Sequence, residues 1–175
     1  MIRKILPSAD RKLRSVSKPV TKVDKKVLAL VKDLKDTLKV QKDPEGVGLA
    51  APQIGKNLRI FVMLDDSQYK AVINPQIIKV SEAKKISKTH KGDIMEGCLS
   101  LPHFYGPLKR SSKITIEYLN EEGQKTKEEF VGFTAQIVQH EMDHLNGVLF
   151  VDRLLEENKP LYKLVNDSWE EVELA

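Results

Sequence analysis

The sequence predicts an α+β fold in which small antiparallel sheets pack around a buried central helix. Three observations predict it: short β-branched runs bounded by turn residues, an amphipathic helical segment near the start, and a second helical segment that is apolar over most of its circumference. The chain has 175 residues, of which 41% are apolar and 31% charged, and we find no repeat or interdomain linker. We therefore expect residues 1–175 to form a single domain.

The first predicted element is a helix that begins at Asp24. Apolar residues follow at helical spacing, with lysines and aspartates between them: Val27, Leu30, Val31, Leu34 and Leu38. Asp24 is placed to cap the helix, because its carboxylate can accept hydrogen bonds from the first free backbone amides.

Strands are predicted next, at Arg59–Leu64 and Ala71–Val80, where apolar and β-branched residues are concentrated. The polar, basic segment from Ser81 to Asp93 is expected to be an excursion from the sheet, with His90 as a solvated loop residue. From Ser112 to Phe133 the alternation of apolar and polar residues around a turn at Glu122-Gly123 predicts a β-hairpin.

Two further helices are predicted. One runs from an N-cap at Thr134 to a terminating Gly147, and the other covers "PLYKLVNDSWEEVEL", Pro160 to Leu174. On the first of these, Val138, Met142 and Leu145 form an apolar stripe beside one that contains Ile137 and three ionisable residues. The helix should therefore be buried.

Composition restricts the class of protein. No apolar run approaches the length needed to cross a bilayer, and the start, "MIRKILPSADRKL", is too highly charged for a signal peptide. A single cysteine, Cys98, excludes an internal disulfide and favours a reducing compartment. The net charge is +4, without an arginine-rich run or zinc-finger spacing. We expect a cytoplasmic protein with no membrane association and no direct nucleic-acid binding.

The buried helix carries the segment "QHEMDH", Gln139 to His144. His140 and His144 are four residues apart and share a helix face with Glu141. Burying three ionisable groups without partners would cost roughly several kcal/mol each. Two imidazoles at this spacing can bind one metal ion and leave the glutamate beside the open position, which is typical of metal-dependent hydrolases.

The third ligand is not evident from the helix. In one large group of zinc peptidases a third histidine follows the glycine, but the corresponding residue here is Phe150, which cannot bind a metal. The candidates are Cys98, the two remaining histidines His90 and His103, and the downstream acids, including Asp152, Glu156 and Glu157. Of these, both histidines are expected on loop surfaces and the acids on a solvated segment. A site with two imidazoles, a thiolate and one open position would be catalytic.

Three segments together resemble the signature motifs of the peptide deformylase family: "GVGLAAPQIG" (Gly46 to Gly55), "EGCLS" (Glu96 to Ser100) and "QHEMDH". The resemblance covers nearly the whole chain. It implies that Cys98 is the third metal ligand beside His140 and His144. It also implies a ferrous ion as the natural metal, while thiolate and imidazole ligands equally suit zinc, nickel and cobalt.

The glycine-rich segment also matches a loose dinucleotide fingerprint. That fingerprint requires a strand before the glycines and a helix after them, and here a predicted helix precedes and Pro52 follows. Glycines can instead allow a peptide substrate to approach the backbone, and Gln53 offers an amide donor to an oxyanion. The resemblance implies that Gln53 and the backbone amide of Leu99 polarise the formyl carbonyl, and that Gly48 hydrogen-bonds the substrate backbone.

The implied activity is hydrolysis of the formyl group from the N-terminal formylmethionine of nascent peptides, with transient ribosome association. Glu141 would take a proton from a metal-activated water and deliver it to the departing amine. Helix geometry suggests that Phe133 and Ile137, with Val47 from the loop, line a methionine pocket; core packing is an equal alternative for Ile137.

The chain also departs from the family. Tyr105 stands where some relatives have arginine, the excursion from Ser81 to Asp93 is long, and the tail is acidic where some relatives dock on the ribosome with a basic helix. Two other functions stay open at this point: a metallopeptidase that cuts internal peptide bonds, and a non-catalytic metal-binding module.

Overall fold

A computed structural model describes residues 1–81 and 95–173. Apart from Ser81, the predicted excursion with His90 lies outside these residues. The described chain contains three α-helices and two 3₁₀ turns: α1 (Lys25–Lys39), α2 (Gly132–Leu145), α3 (Phe150–Glu156), Arg11–Arg14 and Ala51–Ile54. No helix in the described ranges is long and apolar enough to span a bilayer.

The strands form two antiparallel sheets. One sheet has five strands in the order β1-β2-β3-β6-β7: β1 (Gly48–Ala50), β2 (Ile60–Asp65), β3 (Gln68–Val80), β6 (Lys113–Leu119) and β7 (Lys125–Val131). The other has the order β4-β5-β8-β9: β4 (Met95–Cys98), β5 (Leu101–Pro107), β8 (Leu161–Val165) and β9 (Ser168–Val172). An α+β fold with small antiparallel sheets, as the sequence predicts, is confirmed.

The five-stranded sheet separates two hydrophobic clusters. Strand β2 alternates between them: Phe61 and Met63 pack in the cluster that includes α2, while Ile60 and Val62 pack in the cluster that includes α1. This follows from the opposite orientation of successive side chains in a strand. One helix therefore covers each face of the sheet.

Helix α1 begins as predicted. The Asp24 side chain accepts hydrogen bonds from the backbone N–H groups of Lys26 and Val27, at 2.9 and 3.0 Å. Four of the five predicted apolar positions are buried, and Leu30 is partly buried against the same cluster. The strand and hairpin predictions are also confirmed, with Gly123 taking the left-handed φ of 76° that the β6–β7 turn requires.

Helix α2 is buried along most of its length, but the predicted N-cap at Thr134 is wrong. The helix begins at Gly132, directly after β7, and Val131 before it provides no side-chain cap. Gly132 makes the change of direction with a φ of 59°, and its N–H donates to the Ser112 carbonyl at 2.8 Å. A glycine with a left-handed φ thus replaces the side-chain cap that the sequence suggested. At the other end Gly147 has a φ of 75°, consistent with the predicted termination.

The predicted C-terminal helix is wrong. Leu161–Val165 and Ser168–Val172 are strands of a hairpin, with Leu164 opposite Trp169. The two turn residues, Asn166 and Asp167, have φ values of 48° and 60°, the pattern of a tight hairpin turn. A helix cannot continue through two residues with left-handed φ. The chain therefore reverses direction at Asn166 and Asp167, and the segments on either side pair as antiparallel strands.

A third hydrophobic cluster joins the four-stranded sheet to α3. It contains Cys98, Leu108, Phe150, Leu154 and Leu161. Phe150 is buried here, as expected of a core residue that cannot bind a metal. The end of β4 consequently lies beside α2, at the junction of the two sheets.

Candidate active site

Three potential ligands meet at this junction. Cys98 ends β4, and His140 and His144 lie one turn apart on α2; one donor atom from each lies within 4.8 Å of the others. Cys98 Sγ is 3.2 Å from His144 Nε2, and the two imidazole rings meet edge to face at 4.9 Å between centroids. One thiolate and two imidazoles at this spacing fit a single transition-metal ion with an open position.

Glu96 fixes the orientation of the His140 ring. Its Nδ1 lies 2.7 Å from Glu96 Oε1, an arrangement that leaves Nε2 available to a metal. Glu96 also accepts two hydrogen bonds from the Arg110 guanidinium, at 2.6 and 2.9 Å. Burial opposes ionisation of Glu96, but Arg110 and His140 together hold the pKa of its carboxyl well below the usual range. Glu96 is therefore a fixed anion behind the ligand.

Arg110 also pairs with a second buried carboxylate, that of Asp143. Arg110 Nη1 donates to Asp143 at 2.8 Å, and Arg153 from α3 donates to both Asp143 oxygens at 2.8 and 3.2 Å. Gln136 donates a longer hydrogen bond, 3.3 Å, to Glu96. Glu96, Arg110 and Asp143 form a buried charged cluster that links β4, α2 and the segment between β5 and β6.

The electrostatics of the ligands suit a cation. Burial alone would raise the pKa of the Cys98 thiol, but the charge and hydrogen bonds of the two imidazoles bring it well below its ordinary value. Burial likewise opposes protonation of His140, whereas Cys98 and Glu96 raise its pKa well above the ordinary value. Since the same two anions attract positive charge, a metal ion in place of the proton would be stabilised by them.

Glu141 lies beside the ligands and is almost fully buried. Burial raises the pKa of its carboxyl to about 7, against the opposing charge of the imidazoles. Within the part of the chain that the structure describes, Glu141 Oε2 and His144 Nδ1 have no hydrogen-bond partner. Gly48 on β1 permits this arrangement, because a Cβ at that position would collide with Glu141 Oε1. The glycine thus allows strand β1 to lie directly against the Glu141 carboxylate.

Gln53 occupies the 3₁₀ turn after β1. Its Oε1 accepts from the Ala50 N–H at 2.8 Å, so its Nε2 faces the other way, 3.2 Å from Ser100 Oγ and 3.6 Å from Cys98 Sγ. The amide donor is thereby directed toward the ligand group.

A cavity of about 340 Å³ opens onto these residues. It is lined by the other predicted site residues Val47, Gly48, Leu99, Phe133 and Ile137 together with Gln53, Cys98, His140 and Glu141. Ile137 is buried, whereas Phe133 is largely exposed at the rim. Every residue of the predicted site except His144 therefore lines one cavity, and His144 is buried with its Nε2 3.2 Å from Cys98 Sγ.

The rival ligands do not join the group. His103 lines the outer cavity and lies 3.9 Å from Asp43, with a left-handed φ of 67°. Asp152 pairs with Arg14 and accepts from the Leu149 N–H at 2.7 Å, and Glu156 pairs with Arg153. Glu157 is exposed.

The sequence did not reveal the roles of Glu96, Arg110, Asp143, Gln136 and Ser100. Glu96 and Ser100 stand within the quoted "EGCLS" segment, and Asp143 within "QHEMDH", so their position beside ligands was the one available signal. Arg110 lies 14 residues from Glu96 and 33 from Asp143, and no local pattern marks such distant pairs.

Comparison with known proteins agrees with this geometry. The family model described as Polypeptide deformylase matches residues 2–160. Peptide deformylase of Pseudothermotoga lettingae is 47% identical over 152 residues, which cover 87% of this chain and 82% of that protein. The crystal structure of peptide deformylase from Thermotoga maritima superposes with a TM-score of 0.78 at 38% identity, covering 87% of this chain and 97% of the other. That from Ehrlichia chaffeensis gives 0.79 at 31% identity, covering 88% of each chain.

The match to the family model spans most of the chain, and the relatives are matched over most of their own length. The three motifs, the five-stranded sheet, all three helices and the Cys98, His140 and His144 group lie within the matched residues. This chain therefore belongs to the peptide deformylase family, metal-dependent hydrolases that remove the formyl group from the N-terminal formylmethionine of new polypeptides.

Proposed function

We propose that Cys98, His140 and His144 hold the catalytic metal and that Glu141 moves the proton in this deformylation. The observation that carries the proposal is the meeting of these three donors beside the buried Glu141 carboxylate, at the cavity that Cys98, His140 and Glu141 line. When bound, the ion supplies Lewis-acid chemistry, which makes a water molecule acidic enough to react at neutral pH. Ferrous iron is the proposed ion in the cell, with zinc, nickel or cobalt as substitutes that the same ligands can bind.

Glu141 acts first as a base and then as an acid. It accepts a proton from the water that attacks the formyl carbon, and it delivers that proton to the amine nitrogen when the carbon–nitrogen bond breaks and formate leaves. In the metal-free protein, burial raises the pKa of this carboxyl to about 7, so the buried site favours the protonated form that the first step produces.

Gln53 and Leu99 stabilise the oxyanion that develops on the formyl oxygen. The bond from Ala50 to Gln53 Oε1 fixes the side-chain amide, so its Nε2 is already directed toward the cavity before substrate binds. The Leu99 backbone N–H, next to Cys98, is the second donor. Preorganised donors of this kind lower the barrier because no reorientation is needed during the reaction.

The methionine side chain binds among Val47, Phe133 and Ile137, and Gly48 hydrogen-bonds the peptide backbone. These four residues line the same cavity as Glu141. Apolar walls suit a thioether side chain, which gains free energy by leaving water.

We further propose that residues 1–175 make one catalytic domain, organised around the central helix α2 with its His-Glu-x-x-His motif. Helix α2 packs against β1, β2, β6 and β7, and Glu96 ties it to β4 of the other sheet. The setting is cytoplasmic, on formylmethionyl nascent peptides with transient ribosome association and without specific nucleic-acid contacts. The acidic β9 strand supports a mode of docking other than a basic helix.

Formate release tests the activity. Protein purified without oxygen and loaded with ferrous iron should release formate from formyl-Met-Ala-Ser and leave its Met-Ala and Ala-Ser bonds intact. Internal cleavage without formate would support a metallopeptidase instead, and metal binding with neither product would support a non-catalytic module.

Metal content tests the ligand set. Cys98→Ala should lose bound metal, measured by elemental analysis after dialysis against a weak chelator. Ser100→Ala is the matched control, because Ser100 Oγ lies next to Gln53 Nε2 as Cys98 Sγ does. This variant should keep a full equivalent of metal. Full metal retention at wild-type affinity in Cys98→Ala would remove Cys98 from the site.

A further inference from the structure

The side chain of Gln139 makes three hydrogen bonds outside the catalytic group. Gln139 begins the "QHEMDH" segment and directly precedes the ligand His140 on α2. Its Oε1 accepts from the Ser111 backbone N–H at 3.0 Å, and its Nε2 donates to the Ser111 carbonyl at 2.8 Å and to the Ala135 carbonyl at 2.9 Å. The amide therefore pairs with both backbone polar groups of Ser111, as a residue of a neighbouring antiparallel strand would.

Ser111 receives its backbone hydrogen bonds from this side chain. It is buried and lies between β5 and β6, where the chain belongs to neither strand. Within the ranges that the structure describes, no backbone group is bonded to the Ser111 N–H or carbonyl. A buried backbone group without a partner costs about as much free energy as a lost hydrogen bond. The Gln139 amide thus supplies the partners that a sheet supplies elsewhere.

Gln139 lies on the side of α2 away from the substrate. Among the described residues, the lining of the active-site cavity does not include Gln139. It lines a second cavity, of about 370 Å³, together with Arg110, Ser111 and Asp143. Gln139 can therefore influence the reaction only through the residues that it holds.

A closed series of contacts leads from Gln139 back to its neighbour His140. Arg110 directly precedes Ser111, and its guanidinium donates to Glu96 at 2.6 and 2.9 Å. Glu96 Oε1 in turn lies 2.7 Å from His140 Nδ1. The segment that carries Arg110 and the ring that Glu96 orients are thus both fixed to the same turn of α2.

We propose that Gln139 is a positioning residue for the metal ligand His140. By fixing the Ser111 backbone, it places the Arg110 guanidinium where it holds Glu96 against the imidazole. The proposal rests on the metal site proposed above. Removal of a group that orients a histidine ligand commonly weakens metal binding by about 10- to 100-fold. Gln139 acts through two further residues, so we expect an effect at the lower end of this range.

The role requires an amide at position 139. Glutamine carries an acceptor and two donor hydrogens on one planar group, which match the Ser111 N–H and the carbonyls of Ser111 and Ala135. An ionised glutamate has the same length and no donor, and a methionine has neither a donor nor a strong acceptor. Both replacements should release the Ser111 carbonyl.

Metal affinity tests the role. Cobalt binding to the full chain, measured by competition with a chelator, should weaken about tenfold in Gln139→Met. Gln41→Met is the matched control, because Gln41 Nε2 also donates to the carbonyl four residues earlier, at 2.9 Å, on α1. This control should bind cobalt as wild type does. Wild-type affinity in Gln139→Met, or in Gln139→Glu if the methionine variant does not fold, would overturn the proposal.

A double-mutant cycle separates positioning from a general loss of stability. Arg110→Lys keeps a buried positive charge but cannot donate two parallel hydrogen bonds to Glu96. If Gln139 acts through Arg110, addition of Gln139→Met to Arg110→Lys should weaken cobalt binding by less than about twofold. A further tenfold loss in the double variant would contradict the proposed route.

Urea unfolding of the metal-free protein distinguishes this inference from the proposed function. The midpoint shift of the double variant should be clearly smaller than the sum of the two single shifts. If wild type binds no cobalt, or if Cys98→Ala binds it as wild type does, the proposed metal site fails. A subadditive midpoint shift then still supports the link from Gln139 to Arg110. Additive shifts reject the positioning role whatever the metal content.

Discussion

Two groups of ion pairs in this protein have nearly the same geometry and very different surroundings. Arg110 lies 2.6 Å from Glu96 and 2.8 Å from Asp143, and each of the three side chains is at most 10% exposed. On α1, Lys32 lies 2.6 Å from Asp36, but the lysine side chain is 71% exposed. The nitrogen–oxygen distances are therefore nearly equal in the two groups, and the groups differ in burial.

Burial determines whether an ion pair has a large effect on the free energy of unfolding and whether it holds a site residue in place. Exposed pairs gain little, because water and salt screen them and both side chains lose conformational freedom. A buried pair costs desolvation of both charges, yet loss of one partner leaves the other charge unpaired in a region of low polarity. The buried charged cluster fixes Glu96 and, through it, the ring of His140, whereas the α1 pair orients no residue of the site.

Glu141→Gln is expected to have the largest effect. The neutral amide cannot accept the proton from water, so formate release should fall about 10³-fold. The measurement is kcat/KM for formyl-Met-Ala-Ser at pH 7 with equal metal content. Exposed Glu157→Gln is the control and should retain wild-type activity. More than a tenth of wild-type activity in Glu141→Gln would contradict the assigned role.

Arg110→Met should cost about 3–5 kcal/mol of unfolding free energy, because Glu96 and Asp143 would lose a buried counter-charge together. Urea unfolding followed by circular dichroism gives this value. Metal affinity should also fall, since Glu96 would no longer be held against His140. A variant as stable as wild type would show that water or Arg153 replaces the lost charge, and the contrast with the surface pair would fail.

In metal-free protein, ionisation of Glu141 should lower the free energy of unfolding as the pH rises. The folded pKa of Glu141 is about 7, above the usual 4.5, so the folded state holds a proton that the unfolded state releases. The stabilisation is complete below pH 4.5 and is lost as pH rises to 7, in total about 3 kcal/mol. Urea midpoints of wild type and Glu141→Gln at pH 5 and pH 8 measure it. The variant should gain stability relative to wild type at pH 8, and parallel changes in both proteins would refute the assignment to Glu141.

Lys32→Met should have the smallest effect. The pair with Asp36 is exposed, so the urea midpoint should not change within experimental error, and formate release should equal that of wild type. A clear loss of stability would mean that surface pairs on α1 contribute as the buried cluster does.

Local pattern was sufficient for much of the fold. The Asp24 cap and the helical spacing of the apolar residues after it are local signals for α1, and the alternation around Gly123 is a local signal for the β6–β7 hairpin. The C-terminal segment was misassigned because its apolar spacing fits a helix, while Asn166 and Asp167 adopt left-handed backbone that favours the hairpin.

The site residues also fall into those that a local pattern predicts and those that meet only in the folded chain. The pair His140 and His144 follows from helix geometry, and the family resemblance supplied Cys98 from a different strand. The partners of Arg110 could not be found this way, because they come from β4 and α2 and meet only in the folded chain.

The position of the site at the junction of two sheets also affects folding. Cys98 on β4 and His144 on α2 are 46 residues apart, so the donor group is complete only when β4 lies beside α2. An ion that binds the native chain and not the unfolded chain stabilises it by about 2.7 kcal/mol at a hundred times its dissociation constant. Metal supply should therefore govern how long each molecule resists unfolding and proteolysis as well as how fast it works.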